Sequence, residues 1–142
     1  MRFWDSSALV PLVLEQQHSV ACRHLRRVDP AIAVWALTRT ELVSAVHRLA
    51  REGKLAALGV ISAKRRIDLL AARWSEVDGV APVRSRAERL LAVHTLTSAD
   101  ALQLAAALVL AGDRPAGRFF ICSDARLAAS ARSEGFDVVV PR

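Results

Sequence analysis

Tyrosine is absent from this chain, methionine occurs once, and lysine occurs only at Lys54 and Lys64. Cysteine is nearly as scarce. Cys22 and Cys122 lie far apart and match no metal-ligand spacing. A thiolate metal site and a disulfide framework are therefore not expected, and both thiols should pack as small hydrophobes. Long apolar runs are missing too. The most apolar stretch, residues 101–111, contains Gln103 and is bounded by Asp100 and Asp113. It is too short to span a bilayer and reads as a buried helix. Asp5 interrupts the apolar N-terminus and no cleavage-site pattern follows, so a signal peptide is not expected. Internal repeats, low-complexity tracts and linkers are also lacking.

What is present suits one soluble, cytoplasmic domain spanning residues 1–142. The chain is 53% hydrophobic and 24% charged, which argues against disorder. Of its 20 bases, 20 − 2 = 18 are Arg, and the net charge is +6. Four acids stand out below. If they gather in one place, the rest of the molecule carries 20 − 10 = +10. An acidic spot on a basic body suits a polyanion such as nucleic acid, or an acidic partner protein.

Apolar periodicity and turn residues predict alternating strands and helices. Strands are expected at residues 2–5, 31–35, 77–83, 118–122 and 136–140. Helices are expected at 6–15, 18–28, 41–51, 56–75, 85–93, 98–111 and 124–134. The strands are continuous apolar runs, which fits a mainly parallel sheet of four to five strands covered on both faces. The fold class is thus α/β with three layers. The helices at 41–51 and 56–75 form a protruding αα-hairpin. Its apolar residues, including Leu55, Leu58, Val60, Ile61, Leu69 and Leu70, face more than one way and predict an interface.

Asp5, Glu41, Asp100 and Asp124 fall where strands and loops hand over to helices. Each has an ordinary explanation. Thr38-x-x-Glu41 matches a capping box and Thr97-x-x-Asp100 has the same spacing. Asp124 follows Ser123, a good N-cap, and Asp5 suits the cap of the helix beginning at Ser6. Taken together they say more. Ligands of open α/β sheets bind outside the carboxyl ends of the strands, where Asp5 and Asp124 lie. Carboxylates crowded there repel unless a cation neutralises them, and hard oxygen donors suit Mg²⁺ or Mn²⁺. Such ions polarise phosphoryl oxygens and activate water, so phosphodiester hydrolysis is the natural chemistry. No His lies beside any of these acids, which leaves a metal-independent, His-based ribonuclease without support.

The segments WDSSALV, ELVSAVHRL, SADALQLAAAL and ICSDARLAASARSEGFDVVV resemble, in order and over essentially the whole chain, the motifs of PIN-domain nucleases. The likeness is strongest to VapC-type toxins of bacterial toxin–antitoxin pairs. It implies a PIN-like fold and a Mg²⁺- or Mn²⁺-dependent endoribonuclease acting on tRNA or rRNA. It also implies a homodimer held inactive by a cognate antitoxin. Asp5, Glu41, Asp100 and Asp124 match the family's acidic quartet, with Asp5, Asp100 and Asp124 nearest the ion. Glu41 is expected as a ligand or, through water, a base. Ser6 matches the small hydroxyl residue after the first acid, and Ser123 the Ser or Thr before the last. Gln103 departs from the pattern, standing where His is common.

Arg23, Arg26 and Arg27, then Lys64, Arg65 and Arg66, then Arg84, Arg86 and Arg89 cluster on helices and are candidates for RNA phosphate contact. Trp4 is expected in the core, and Trp35 is a candidate for stacking on a base. Two other readings compete. One is a non-catalytic RNA- or protein-binding PIN-like module, whose mark would be loss of an acid. The other is phosphotransfer at Asp5, which in haloacid-dehalogenase-like phosphatases needs a second Asp where Ser7 stands.

Overall fold

A computed structural model describes residues 1–142. The elements run β1 (Arg2–Trp4), α1 (Ser6–Val13), α2 (Ser19–Val28), β2 (Ile32–Trp35), α3 (Thr38–Arg51) and α4 (Ala57–Ala71). They continue with β3 (Ser75–Val77), α5 (Val80–Val93), α6 (Ser98–Leu110), β4 (Phe119–Ile121), α7 (Ala125–Ser133) and β5 (Asp137–Val139). The strands make one five-stranded sheet in the order β3-β2-β1-β4-β5, and every pairing is parallel.

The unbroken apolar strands are explained by burial on both sides. Phe3, Ala33, Trp35 and Phe120 enter one core with residues of α5, α6 and α7. Their neighbours Trp4, Ile32, Val34 and Ile121 enter a second core with residues of α1 to α4. The result is three layers, α/β/α. Each fully buried large side chain contributes roughly 1.5–3 kcal/mol, so the three central strands are anchored twice over. Alanines 101, 105, 106 and 107 bring α6 close against the sheet, and all four are buried. The chain leaves α7 through Gly135, whose φ of +103° is readily reached only by glycine.

Four predicted elements shift by three residues or more. The strand expected at 77–83 is β3 at Ser75–Val77, and the helix expected from 85 begins at Val80. Pro82 is the third helical residue, where a backbone N–H has no intrahelical partner to lose, so it is tolerated. Val83, Ala87 and Leu90 then form the buried stripe of α5. The helix expected to reach residue 75 ends at Ala71, and α3 starts three residues earlier than expected, at Thr38. The α3–α4 hairpin is present, with Leu58, Ile61 and Leu69 of α4 exposed to solvent, whereas Leu70 is buried and Leu55 and Val60 pack against the core, so only half of the expected patch is exposed. No helix is long and apolar enough to cross a membrane.

Candidate active site

The four acids are placed by different local means. Asp5 follows β1 and caps α1; its Oδ2 accepts from the Ser7 N–H at 3.0 Å and from the Ser7 hydroxyl. Asp124 follows β4 and caps α7 itself, its Oδ1 accepting from the Leu127 N–H at 2.7 Å. Ser123 is therefore not the cap it was expected to be. Asp100 lies in the first turn of α6, where Thr97 caps by accepting from the Asp100 N–H at 3.2 Å.

Glu41 differs, because the expected capping box does not form. The cap position of α3 is Leu37, Thr38 is already helical, and no side chain caps this helix. The Glu41 carboxylate is held by residues distant in sequence. Ser6 Oγ donates to Oε2 at 2.6 Å, and Gln103 Nε2 donates to Oε1 at 2.9 Å.

The sheet order explains why these residues meet. From β1 the chain proceeds to β2 and β3 on one side, while β4 and β5 lie on the other. The order reverses between β1 and β4, and the helices that follow these two strands pack on opposite faces. Such a switch point opens a crevice at the carboxyl ends of the strands. Asp5, Glu41, Asp100 and Asp124 all line a cavity there of about 490 Å³, with Ser6 and Arg48 also in its wall. A smaller cavity of about 130 Å³, lined by Phe3, Phe119 and Phe136 among others, lies at the amino ends of β1 and β4 and contains no acid.

The site is electrostatically strained. Burial pushes the Asp5 carboxyl up to about 6; the Ser7 hydrogen bonds pull it down, and the charges of Glu41 and Asp100 push it further up. Asp100 is also raised, first by burial and then by the charge of Asp124. The four carboxylates thus sense one another. None of them forms an ion pair, although Glu15, Asp29, Glu52, Asp68, Asp113 and Glu134 all do. Glu76, Asp78, Glu88 and Asp137 also lack one, so what distinguishes the four is that they share one cavity and raise one another's pKa. Behind it, burial and then the Asp5 charge push the Cys122 thiol up to about 12, so it stays protonated. Both cysteines are free and buried, as expected.

The donor set suits a hard divalent cation: carboxylate oxygens, none in an ion pair, with Asp5 and Asp100 desolvated, although the Arg126 charge partly offsets Asp100. The Ser123 hydroxyl, beside Asp124, is shut off from solvent and has no hydrogen-bond partner. No three acidic, His or Cys side chains close into a ready-made cluster. A cavity of this size leaves room for water between the carboxylates, so an ion there could be met in part through water.

Three further residues belong to the site. The Ser7 hydroxyl, besides donating to Asp5, accepts from the Ser123 N–H at 3.0 Å and so ties the end of β1 to the end of β4. Gln103 is fully buried and turns toward α3, meeting Glu41 and Thr38; no hydrogen bond joins it to Asp100 on its own helix. A polar amide in the most apolar helix was the sequence signal for it, whereas Ser7 and Thr38 gave none beyond helix capping. Trp35 is 3% exposed and sits in the core, so it is not a base-stacking platform. Arg86 and Arg89 are taken up by Asp113 and Glu134.

The architecture is that of a PIN-like α/β/α domain. It is similar to PAE2754 from Pyrobaculum aerophilum, with a TM-score of 0.67 and 19% identity, over 97% of this chain and 88% of the other. It is also similar to FitAcB from Neisseria gonorrhoeae, with a TM-score of 0.70 and 16% identity, over 99% of this chain and 98% of the other. No family model and no curated protein matches the sequence.

Proposed function

We propose that this chain is a Mg²⁺- or Mn²⁺-dependent endoribonuclease, a toxin of the VapC type that cleaves tRNA or rRNA and is neutralised by a cognate antitoxin. One observation carries the reading: four carboxylates with no basic partner share one cavity at the switch point of a PIN-like sheet. Asp5, Asp100 and Asp124 would hold the ion, in part through water, and the ion when bound polarises a phosphoryl oxygen and makes water a better nucleophile.

The chain's own groups divide the remaining work. The Ser7 contacts take up Oδ2 of Asp5 and leave Oδ1 for the cavity. The Leu127 N–H takes up Oδ1 of Asp124 and leaves Oδ2. Both oxygens of Glu41 accept a hydrogen bond, from Ser6 in the cavity wall and from buried Gln103, so its carboxylate is fixed in direction. Its remaining lone pairs suit it to accept a proton from the attacking water. Ser6 orients Glu41, and Arg48 in the cavity wall supplies positive charge for a phosphate. The toxin role rests on the motif resemblance. Exposed Leu58, Ile61 and Leu69 on α4 support a homodimer or antitoxin contact there.

Purified protein incubated with tRNA or total RNA tests the reading. Cleavage should require Mg²⁺ or Mn²⁺ and stop with chelator. Asp5→Asn and Asp100→Asn should each lower it by more than about 100-fold, in the range typical of lost catalytic groups. Wild-type cleavage in either variant sinks the assignment of the quartet. Salt-dependent RNA binding without any response to metal supports a non-catalytic module instead. Co-expression with the product of the adjacent reading frame should suppress cleavage.

A further inference from the structure

We propose that Gln103, braced by Thr38, is a positioning residue that fixes the direction of the Glu41 carboxylate in the candidate active site. The inference rests on the nuclease reading for its consequence in catalysis, but the contact stands on geometry alone. Gln103 is fully buried on α6, a helix whose other buried residues are all Ala or Leu. An amide in such surroundings must satisfy its hydrogen-bonding groups internally. It does so across the cavity wall. Nε2 stands 2.9 Å from Glu41 Oε1 and 3.1 Å from Thr38 Oγ1. The amide orientation follows from chemistry, since an ionised carboxylate only accepts and the amide oxygen facing it would repel. Thr38 is itself fully buried at the first position of α3, one helical turn before Glu41. Its hydroxyl serves Gln103, while the cap position of α3 is Leu37, which has no polar side chain to cap with.

The contact crosses between layers. α3 packs in the core on one face of the sheet and α6 in the core on the other. Gln103 therefore locks the placement of Glu41 to that of Asp100, three residues earlier on the same helix. Ser6 fixes the second Glu41 oxygen from α1. With both oxygens held, the carboxylate needs no reorganisation when substrate arrives, which is how buried donors contribute to catalysis.

Gln103→Leu keeps the volume and removes the donor. It should lower kcat about 10-fold or more with KM and RNA affinity unchanged; because it also leaves the buried Thr38 hydroxyl unpaired, Tm falls, and kcat is compared at a temperature where both proteins are folded. Gln103→His, which restores an N–H donor, should recover a substantial part of kcat. In a Glu41→Gln background, Gln103→Leu should have no further effect, because it acts through Glu41. Equal losses of kcat in both backgrounds, or wild-type kcat in Gln103→Leu, overturn the proposal. A readout independent of cleavage separates it from the nuclease reading. The Gln103 side-chain amide protons should exchange slowly in NMR spectra of the wild type and shift in Glu41→Gln and Thr38→Val. Fast exchange overturns the positioning contact whether or not RNA is cut. Absence of cleavage with a protected amide overturns the nuclease reading and leaves the contact standing.

Discussion

Asp5 is a carboxylate placed at a cost to the fold. Its carboxyl titrates near 6 in the folded chain, against an ordinary value of 3.8, because burial disfavours the charged form. Between those two values the folded chain binds more protons than the unfolded one, so stability falls as pH rises through that window. The difference between the two values corresponds to roughly 3 kcal/mol. Asp5→Asn retains an oxygen for both Ser7 donors and removes the charge. It should raise Tm at pH 7.5 by up to about 10 °C, with the gain fading by pH 4, as followed by circular dichroism. Added Mg²⁺ or Mn²⁺ should raise the Tm of the wild type and not of the variant. An unchanged or lower Tm for Asp5→Asn at pH 7.5 would contradict this account of Asp5. Glu41 teaches a separate lesson at this scale. Its sequence context matched a capping box, yet its partners are Ser6 and Gln103, 35 and 62 residues away. Local spacing does not encode such contacts.

At the scale of elements, the central strands and the buried helix were legible because their apolar runs are long and two-sided. The hand-over points at Asp5 and Asp124 were legible for the same reason, since each acid ends a run. β3 was misplaced because it is an edge strand: Ser75 and Glu76 are exposed and leave no apolar signature. The start of α5 was missed because Gly79 and Pro82 read as breakers, although proline costs little in a first helical turn. The far end of α5 is tied to the end of α7 by Glu134, which accepts from Arg89 at 2.7 Å and contacts His94 at 2.7 Å. The Arg89 hydrogen bond holds its carboxyl below the usual glutamate range, against the opposing effect of burial. That stabilisation is present above about pH 4.5, the ordinary glutamate value, and is lost as pH falls through the lower folded value. Glu134→Gln should lower Tm by roughly 2–5 °C at pH 7 and by less at pH 3. RNA cleavage at 25 °C should be unchanged, since the pair lies outside the cavity. A Tm equal to wild type at pH 7 would show that the triad is solvent-screened and idle.

For the whole molecule, charge sets how a substrate is met. An acidic cavity sits on a chain of net charge +6, with Arg48 in the cavity wall. RNA should bind the metal-free protein with an affinity that falls steeply with salt. Arg48→Gln should reduce the slope of log K against log salt by about 0.7–0.9 if Arg48 meets one phosphate, measured by fluorescence anisotropy in chelator. An unchanged slope would remove Arg48 from the RNA path. The convergence of the acids depends on the sheet order: β1 and β4 are distant in sequence and adjacent in the sheet, and the reversal between them opens the cavity. That adjacency is a property of topology, which the alternation of strands and helices suggested only in outline. The central claim, that these carboxylates form a metal-dependent nuclease centre, is tested most directly by mapping 5′ ends of an RNA pool. The pool is treated with wild type or Asp100→Asn, each with Mn²⁺ and with chelator. Discrete new ends with wild type and Mn²⁺ alone are the expected result. New ends that persist in chelator or in Asp100→Asn, or none under any condition, would contradict it.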